Sequence, residues 1–239
     1  AYRAGGANSR SINYRAFDPE EVSTYELGLK TDFWARRARL NLAGYQTRYT
    51  DIQIDFSASN LNQSNRGTLE TVNAPGAGKI KGVEADLALA PIDGLRLSLN
   101  YAYTHGELPQ AANPFNNNAL QNVFVVFTPE NAYGASIDYD RPFGWATLSV
   151  GLNGSVADGY RATSGEAIKT DSSAVFNGRL ALLGIKFLGI GTLDLALWSR
   201  NLFDEQHTFY VSKASYATTG TYGMFNEPRT YGLDATMRF

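Results

Sequence analysis

The last stretch of the chain alternates almost without fault. From residue 230 onward, Tyr231, Leu233, Ala235, Met237 and Phe239 hold one parity, and Thr230, Gly232, Asp234, Thr236 and Arg238 hold the other. Successive side chains of an extended strand point to opposite faces, so this parity predicts a strand with one apolar and one polar face. The signature recurs upstream. Over residues 22–34, Tyr25, Leu27, Leu29 and Phe33 oppose Glu26, Gly28, Lys30 and Asp32, and over 95–105 the leucines and tyrosines oppose Arg96, Ser98, Asn100, Ala102 and Thr104. Further strands are predicted over residues 79–90, 131–140, 145–156, 172–187 and 192–203. Residues 40–56 read as one long strand whose phase slips where Tyr45 and Tyr49 leave step with Leu40 and Leu42, and a bulge at Gly44 would account for this. Residues 1–4 suggest only the end of a strand, followed by a loop broken at Gly5-Gly6 and Asp18-Pro19.

The connections have a pattern of their own. Short turns at 35–37, 91–94, 141–144 and 188–191 alternate with long polar loops at 57–78, 106–129, 157–171 and 207–226. About nine complete strands result, each of roughly ten residues or more. Soluble strands run to about 5–6 residues, whereas about 9–11 are needed to cross a bilayer. Long strands with all long loops on one side describe an all-β, transmembrane antiparallel barrel, with short periplasmic turns, long extracellular loops, an apolar outside and a polar lumen. Phe33, Trp34, Phe143, Trp145, Phe187 and Phe239 gather at the short-turn ends, as an interfacial aromatic girdle would. Residues 180–198 are the one stretch apolar enough to pass for a membrane helix. Lys186, Asp194 and three glycines interrupt it, and its alternation on both sides of 188–191 predicts a hairpin.

Composition narrows the reading further. The 21 basic and 23 acidic residues give no electrostatic basis for a nucleic-acid partner. With no cysteine, disulfides and thiolate metal sites are excluded. The 14 tyrosines and 23 glycines favour strands over helices. The chain opens on Ala1 with no charged-then-apolar leader, so the expectation is a mature chain or an excised fragment of one.

Several stretches, in order, resemble the C-terminal half of a TonB-dependent outer-membrane receptor. They are Phe17-Asp18-Pro19-Glu20 with Tyr25-Glu26-Leu27-Gly28-Leu29-Lys30-Thr31, then Tyr45 to Gln53, Lys81-Gly82-Val83-Glu84-Ala85 and Leu99-Asn100-Tyr101-Ala102-Tyr103. Arg200-Asn201-Leu202-Phe203-Asp204 and the ending from Pro228 to Phe239 complete the series. The resemblance implies that residues 1–239 are a C-terminal portion, about 9–10 strands, of a barrel of about 22 strands filled by a plug. It implies energised uptake of a scarce nutrient of the ferric siderophore, cobalamin or saccharide class in the outer membrane of a Gram-negative bacterium. TonB–ExbB–ExbD would act through an N-terminal region not in this sequence. The barrel-assembly machinery would read the closing strand at Phe239, and outer-membrane lipid would surround the barrel.

Other chemistry is sparse. Gly76-Ala77-Gly78-Lys79 fails as a phosphate loop, because Ile80 follows the lysine and the earlier glycine is missing. Glu84 and Asp86 share a polar strand face and read as lumen charges beside Arg96, Arg179 or Lys30 rather than as an acid/base pair. His105 and His207 stand at loop edges without obvious carboxylate spacing, so no metal, haem or other cofactor is expected, and no catalytic residue is expected either. The loops are better placed to bind. Phe115, Tyr160, Phe209, Tyr210, Tyr216, Tyr222 and Phe225 set aromatic faces among amides and hydroxyls, a surface for a small-molecule or metal-chelate ligand, although such rings also pack loops together. A self-contained small outer-membrane barrel (a hydrolase or passive pore) and a soluble carbohydrate-binding β-domain are the alternative readings.

Overall fold

The computed structural model of the chain describes residues 1–9, 11, 15–58, 68–187, 189–213 and 220–239, and all of their regular structure is strand. Three two-residue strands come first: β1 (Tyr2–Arg3), β2 (Gly6–Ala7) and β3 (Ala16–Phe17). The long pair β4 (Glu20–Phe33) and β5 (Ala38–Thr50) follows, then a loop hairpin of β6 (Gln53–Ala58) and β7 (Thr68–Asn73). Next are β8 (Ala77–Leu89), β9 (Leu95–Glu107) and a small loop pair, β10 (Ala111–Asn113) and β11 (Ala119–Gln121). β12 (Asn131–Pro142), β13 (Thr147–Ala157), β14 (Ser173–Phe187) and β15 (Gly191–Arg200) continue the long series. A last loop hairpin, β16 (Thr208–Lys213) and β17 (Thr221–Phe225), precedes the closing β18 (Thr230–Arg238).

Ten of these strands form one antiparallel sheet in the order β1-β4-β5-β8-β9-β12-β13-β14-β15-β18. Each long strand neighbours the next in sequence, which is the wall of an up-and-down barrel. The sheet is not closed on itself, since β1 and β18 lie at its two edges. The nine long strands are the nine expected, and short turns alternate with long loops as predicted.

The ladder keeps one parity from edge to edge. Leu27 pairs with Gly44, Gly44 with Val83 and Val83 with Tyr103; farther along, Ile137, Leu152, Leu180, Leu197 and Leu233 share that face. These side chains are open to the surroundings, with Leu27 83% and Leu233 67% exposed. A bare apolar face of this extent is a liability in water and is the surface that lipid covers. The buried apolar cluster lies elsewhere. Ile54, Phe56, Ala74, Ala111 and Val123 form it within the first two long loops.

Three expectations need correction. There is no bulge at Gly44, because β5 pairs continuously with both β4 and β8. The apparent phase slip arises because Tyr45 is an aromatic on the polar face, its hydroxyl 3.1 Å from that of Thr104. Nor is 40–56 one strand. The backbone turns at Asp51 (φ 54°), and residues from Gln53 onward pair with β7, which lies in the 57–78 segment expected to be plain loop. The real bulge is in the 180–198 hairpin, where Leu183 and Gly184 (φ 69°) stand opposite Asp194, whose carboxylate accepts the Gly184 N–H at 2.7 Å.

At the short-turn side the polar face carries three ion pairs: Arg39–Asp32 (2.7 Å), Arg96–Asp140 (2.9 Å) and Arg238–Asp194. All have an exposed partner, so each adds little, about 0–1 kcal/mol. The ladder holds the wall. The expected placement of Glu84 and Asp86 beside Arg96, Arg179 or Lys30 is not what the register gives: Glu84 pairs with Ala43 and Ala102, and Asp86 with Asn41 and Asn100. Phe33, Trp34, Phe143, Trp145 and Phe239 all stand exposed at this end, as a girdle requires; the side chain of Phe187 is outside the described residues.

Candidate functional site

The loop side is built from interlocked segments. The segment after β11 runs beside the loop after β13: Phe124 N–H donates to the Ser164 carbonyl (2.9 Å) and Phe127 N–H to the Arg161 carbonyl (2.9 Å). The Tyr160 hydroxyl donates to the Phe209 carbonyl at 2.7 Å, joining that loop to the β16–β17 hairpin. Asp171 accepts the Thr208 N–H (3.0 Å) and hydroxyl (2.8 Å), and its own N–H donates to Thr208 Oγ1 (3.1 Å). Those bonds, the backbone one first, hold the Asp171 carboxyl below its usual pKa.

Between the end of β9 and these two loops lies a cavity of about 380 Å³, lined by Thr104, His105, Glu107, Glu130, Tyr160, Arg161 and Lys169 among others. His105 is held on both sides, Nδ1 at 3.1 Å from Glu130 and Nε2 at 3.3 Å from Glu107. His207 has Glu205 at 2.7 Å. The expectation of histidines without carboxylate partners is therefore wrong: Glu130 reaches His105 from 25 residues away, Glu107 shares its strand face two positions along β9, and Glu205 reaches His207 across the loop before β16. No group of three or more potential metal ligands forms among the described residues. The Arg161 guanidinium lies 4.0 Å over the Phe124 ring, and its Nε is buried with no hydrogen-bond partner among the described residues.

The candidate aromatics divide. Phe115 packs against the buried loop cluster, so it ties loops together rather than facing outward. Tyr160 lines the cavity, with Phe127 at 5.8 Å. Phe209, Tyr222 and Phe225 are exposed on the last hairpin, while burial, and then Tyr222, raises the Tyr210 phenol pKa. Tyr216 lies outside the described residues. The six described are not gathered in one place. Sequence reading missed Phe124, Phe127 and Arg161, for which the apolar run 123–127 inside an otherwise polar loop was the available signal. Gly76-Ala77-Gly78-Lys79 enters β8 with no helix after it, as expected of a failed phosphate loop.

The profile of the family described as TonB dependent receptor-like, beta-barrel matches residues 1–202. The chain belongs to that family. Members are outer-membrane receptors and transporters of Gram-negative bacteria rather than enzymes, which accounts for the lipid-ready face of this receptor wall. Its fold is similar to that of FyuA, the ferric yersiniabactin uptake receptor of Yersinia pestis (TM-score 0.73, 18% identity, 100% of this chain and 34% of that one). It is also similar to BauA, the ferric preacinetobactin receptor of Acinetobacter baumannii (0.65, 17%, 98% and 32%), and to the ferric-catecholate import receptor Fiu of K12 E. coli (0.65, 20%, 99% and 30%). The chain spans about a third of the length of these receptors.

Proposed function

We propose that residues 1–239 form the C-terminal portion of the barrel of a receptor that takes up a ferric siderophore, with uptake energised by TonB–ExbB–ExbD acting on a part of the receptor outside this chain. The observation that carries the reading is the cavity at the loop mouth, where Arg161 is braced on Phe124 with a buried donor left over. An orphaned buried N–H is costly, about 1–3 kcal/mol, unless a ligand supplies the acceptor. Anionic oxygens of a ferric chelate are such acceptors. Tyr160 offers a ring beside them, and Phe209, Tyr222 and Phe225 offer an outer contact surface. In this reading Phe239, 90% exposed after an alternating strand, is the residue the barrel-assembly machinery recognises. Cobalamin and saccharides remain within the family's range but have no particular use for the Arg161 donor.

The test is uptake of radioiron from a panel of ferric chelates by iron-starved cells carrying the protein. Uptake of at least one anionic chelate is expected, absent in cells without TonB and reduced about tenfold by Arg161→Gln, the order expected for a hydrogen bond to a charged group. Uptake that persists undiminished without TonB, or no ferric chelate taken up at all, rules the reading out.

A further inference from the structure

The polar face of the wall is not uniform. On β9, β12, β13 and β14 the register sets twelve positions in three rows of four, and none of the twelve is charged. Ser98, Ser136, Asn153 and Asn177 make one row; the rows above it run from Asn100 to Val175 and from Ala102 to Ser173. No side chain among them is longer than asparagine. The amides lie along the wall: Asn177 Nδ2 donates to Asn153 Oδ1 (2.8 Å), and the Asn100 amide covers the bare backbone of Gly134. At a strand spacing of about 4.8 Å this neutral band is about 14 Å across.

Charge begins at its borders. One strand to the side, the upper rows meet Asp86 and Glu84 on β8, and on β15 the same face carries Trp198 with Arg200 beside its ring. Below the band, Arg96 pairs with Asp138, and Arg179 stands on β14. That charged row has one gap. β13 places Gly151 between Asp138 and Arg179, then Ser149 and Thr147 toward the short turn, so its polar face is uncharged from end to end. At its top the band meets the loop cavity. Thr104 lines the cavity from β9, Glu130 directly precedes β12, Tyr160 follows β13 and Lys169 leads into β14. The strands that frame the cavity are the four that carry the band.

We propose that a ferric chelate released from the cavity descends the lumen along this band and leaves past Gly151, with β13 as the strand that guides it. Passage needs contacts that are weak and repeated rather than one strong site. An arginine would hold the anionic oxygens of a chelate, whereas serine and asparagine offer neutral bonds of about half that strength. The same difference acts on whatever part of the receptor fills the lumen: the charged flanks anchor it, and the band holds it least. Small side chains leave the width free. The proposal rests on the cavity binding the chelate, so binding and passage are read separately.

The full receptor is expressed in iron-starved cells with Ser155→Cys on β13 or, on the polar face of β5, Ala43→Cys. Each is labelled on the cell with a methyl or a biotinyl methanethiosulfonate, and the unsubstituted receptor is treated in the same way. Labelling a receptor that is already folded sets folding failure aside, and dithiothreitol removes the label. The probes are radioiron complexes of a hydroxamate, a catecholate and a hydroxycarboxylate chelator. Binding in the cold reads the cavity and is expected to be unchanged by either label. Uptake through Ser155→Cys is expected to fall about tenfold with the biotinyl label, much less with the methyl label, and to recover on reduction. Ala43→Cys is expected to keep the unlabelled rate. Undiminished uptake with the biotinyl label in place at Ser155→Cys, failure of that thiol to label in cells taking up the chelate, or an equal loss at Ala43→Cys overturns the path along β13 while leaving the cavity reading intact. No binding of any probe removes the cavity reading and this proposal with it.

Discussion

At Asn201 one side chain organises the longest described gap between wall strands. Its backbone is left-handed (φ 49°) and the residue is only 3% exposed. Its Nδ2 donates to the carbonyls of Glu205 (2.7 Å) and Glu227 (3.1 Å), its Oδ1 accepts the Glu205 N–H (2.8 Å), and its own N–H donates to Asn177 Oδ1 (3.0 Å). Asparagine tolerates this backbone region, and its amide mimics a peptide group. The Glu205 and Glu227 carbonyls also accept from Asn226 Nδ2 (3.0 and 3.2 Å), so removing the Asn201 side chain orphans the Glu205 N–H, at about 1–3 kcal/mol. Asn201→Ala is expected to speed hydrogen exchange at the Glu205 amide by at least about tenfold while amides in the β12–β13 ladder are unaffected. Asn201→Gly, which removes the backbone strain but not the lost bonds, should fall nearly as far. Unchanged exchange in the alanine variant would mean the loop is held by other contacts. The Asn-Leu-Phe-Asp stretch was conspicuous in the sequence, but only the fold gives its reason.

Among the strands, a recurrent pairing couples rings to glycines. Tyr45 lies across from Gly82, Phe176 from Gly154 and Trp198 from Gly232, each pair on one face of adjacent strands. A Cβ on these glycines would come within 2.5 Å of the Tyr45 hydroxyl, 2.3 Å of the Phe176 ring and 2.5 Å of the Trp198 ring. A ring over a bare backbone covers ladder that would otherwise be open and fixes register. Gly232→Val is therefore expected to displace the Trp198 indole, break its Nε1 bond to Asp234 (3.2 Å), and destabilise the β15–β18 pair by about 1–3 kcal/mol. Near-ultraviolet circular dichroism and a lowered thermal midpoint would report it; an unaltered tryptophan band would refute it. These pairs explain what was legible and what was not. Alternation gave the strands, because period two is written in consecutive residues. The glycine–ring matches join residues 22 to 37 positions apart and need the register first. The tyrosine at 45 looked like an error of phase for the same reason.

Across the described molecule, most of the buried apolar residues and many of the long-range side-chain bonds lie in the loops, while the wall keeps its apolar side outward. Glu70, 1% exposed, accepts the Ser11 hydroxyl at 2.6 Å, and Gln53 donates to the carbonyls of Ala4 and Asp18 (both 3.0 Å), so the start of the chain is bound to the first long loop. The Asp171–Thr208 contact binds the third loop to the last in the same way. Because the folded pKa of Asp171 lies below its unfolded value of about 3.9, the contact is fully present above that pH and is lost as pH falls through the folded value. The chain has no cysteine, so spin labels at Ala167→Cys and Met224→Cys report the junction of the third and last loops, which the Tyr160–Phe209 and Glu166–Lys213 bonds also hold. Their distance distribution is expected to be the same from pH 5 to pH 8 and to broaden only once pH falls below the ordinary carboxylate range. Adding Asp171→Ala should broaden it relative to the otherwise identical labelled chain at every pH above the acid transition, and an unchanged distribution there would count against the clasp. None of this joinery was visible in the sequence, where the loops read only as polar and rich in asparagine. Their hairpins are short, and their partners lie in other loops.

The unbroken parity of the wall also has an evolutionary consequence. One residue gained or lost within a wall strand reverses every side chain beyond it, turning lysines and aspartates into the lipid. Leu183 and Gly184 opposite Asp194 are where the described wall accommodates such an extra residue, with a glycine and a carboxylate to absorb it. Lineages of this barrel can therefore change length with little penalty only in the connections, and the long ones all lie on the side that meets the outside world. Insertions and deletions are filtered toward the surface where recognition is decided, so the wall can stay constant while the repertoire of captured molecules diversifies.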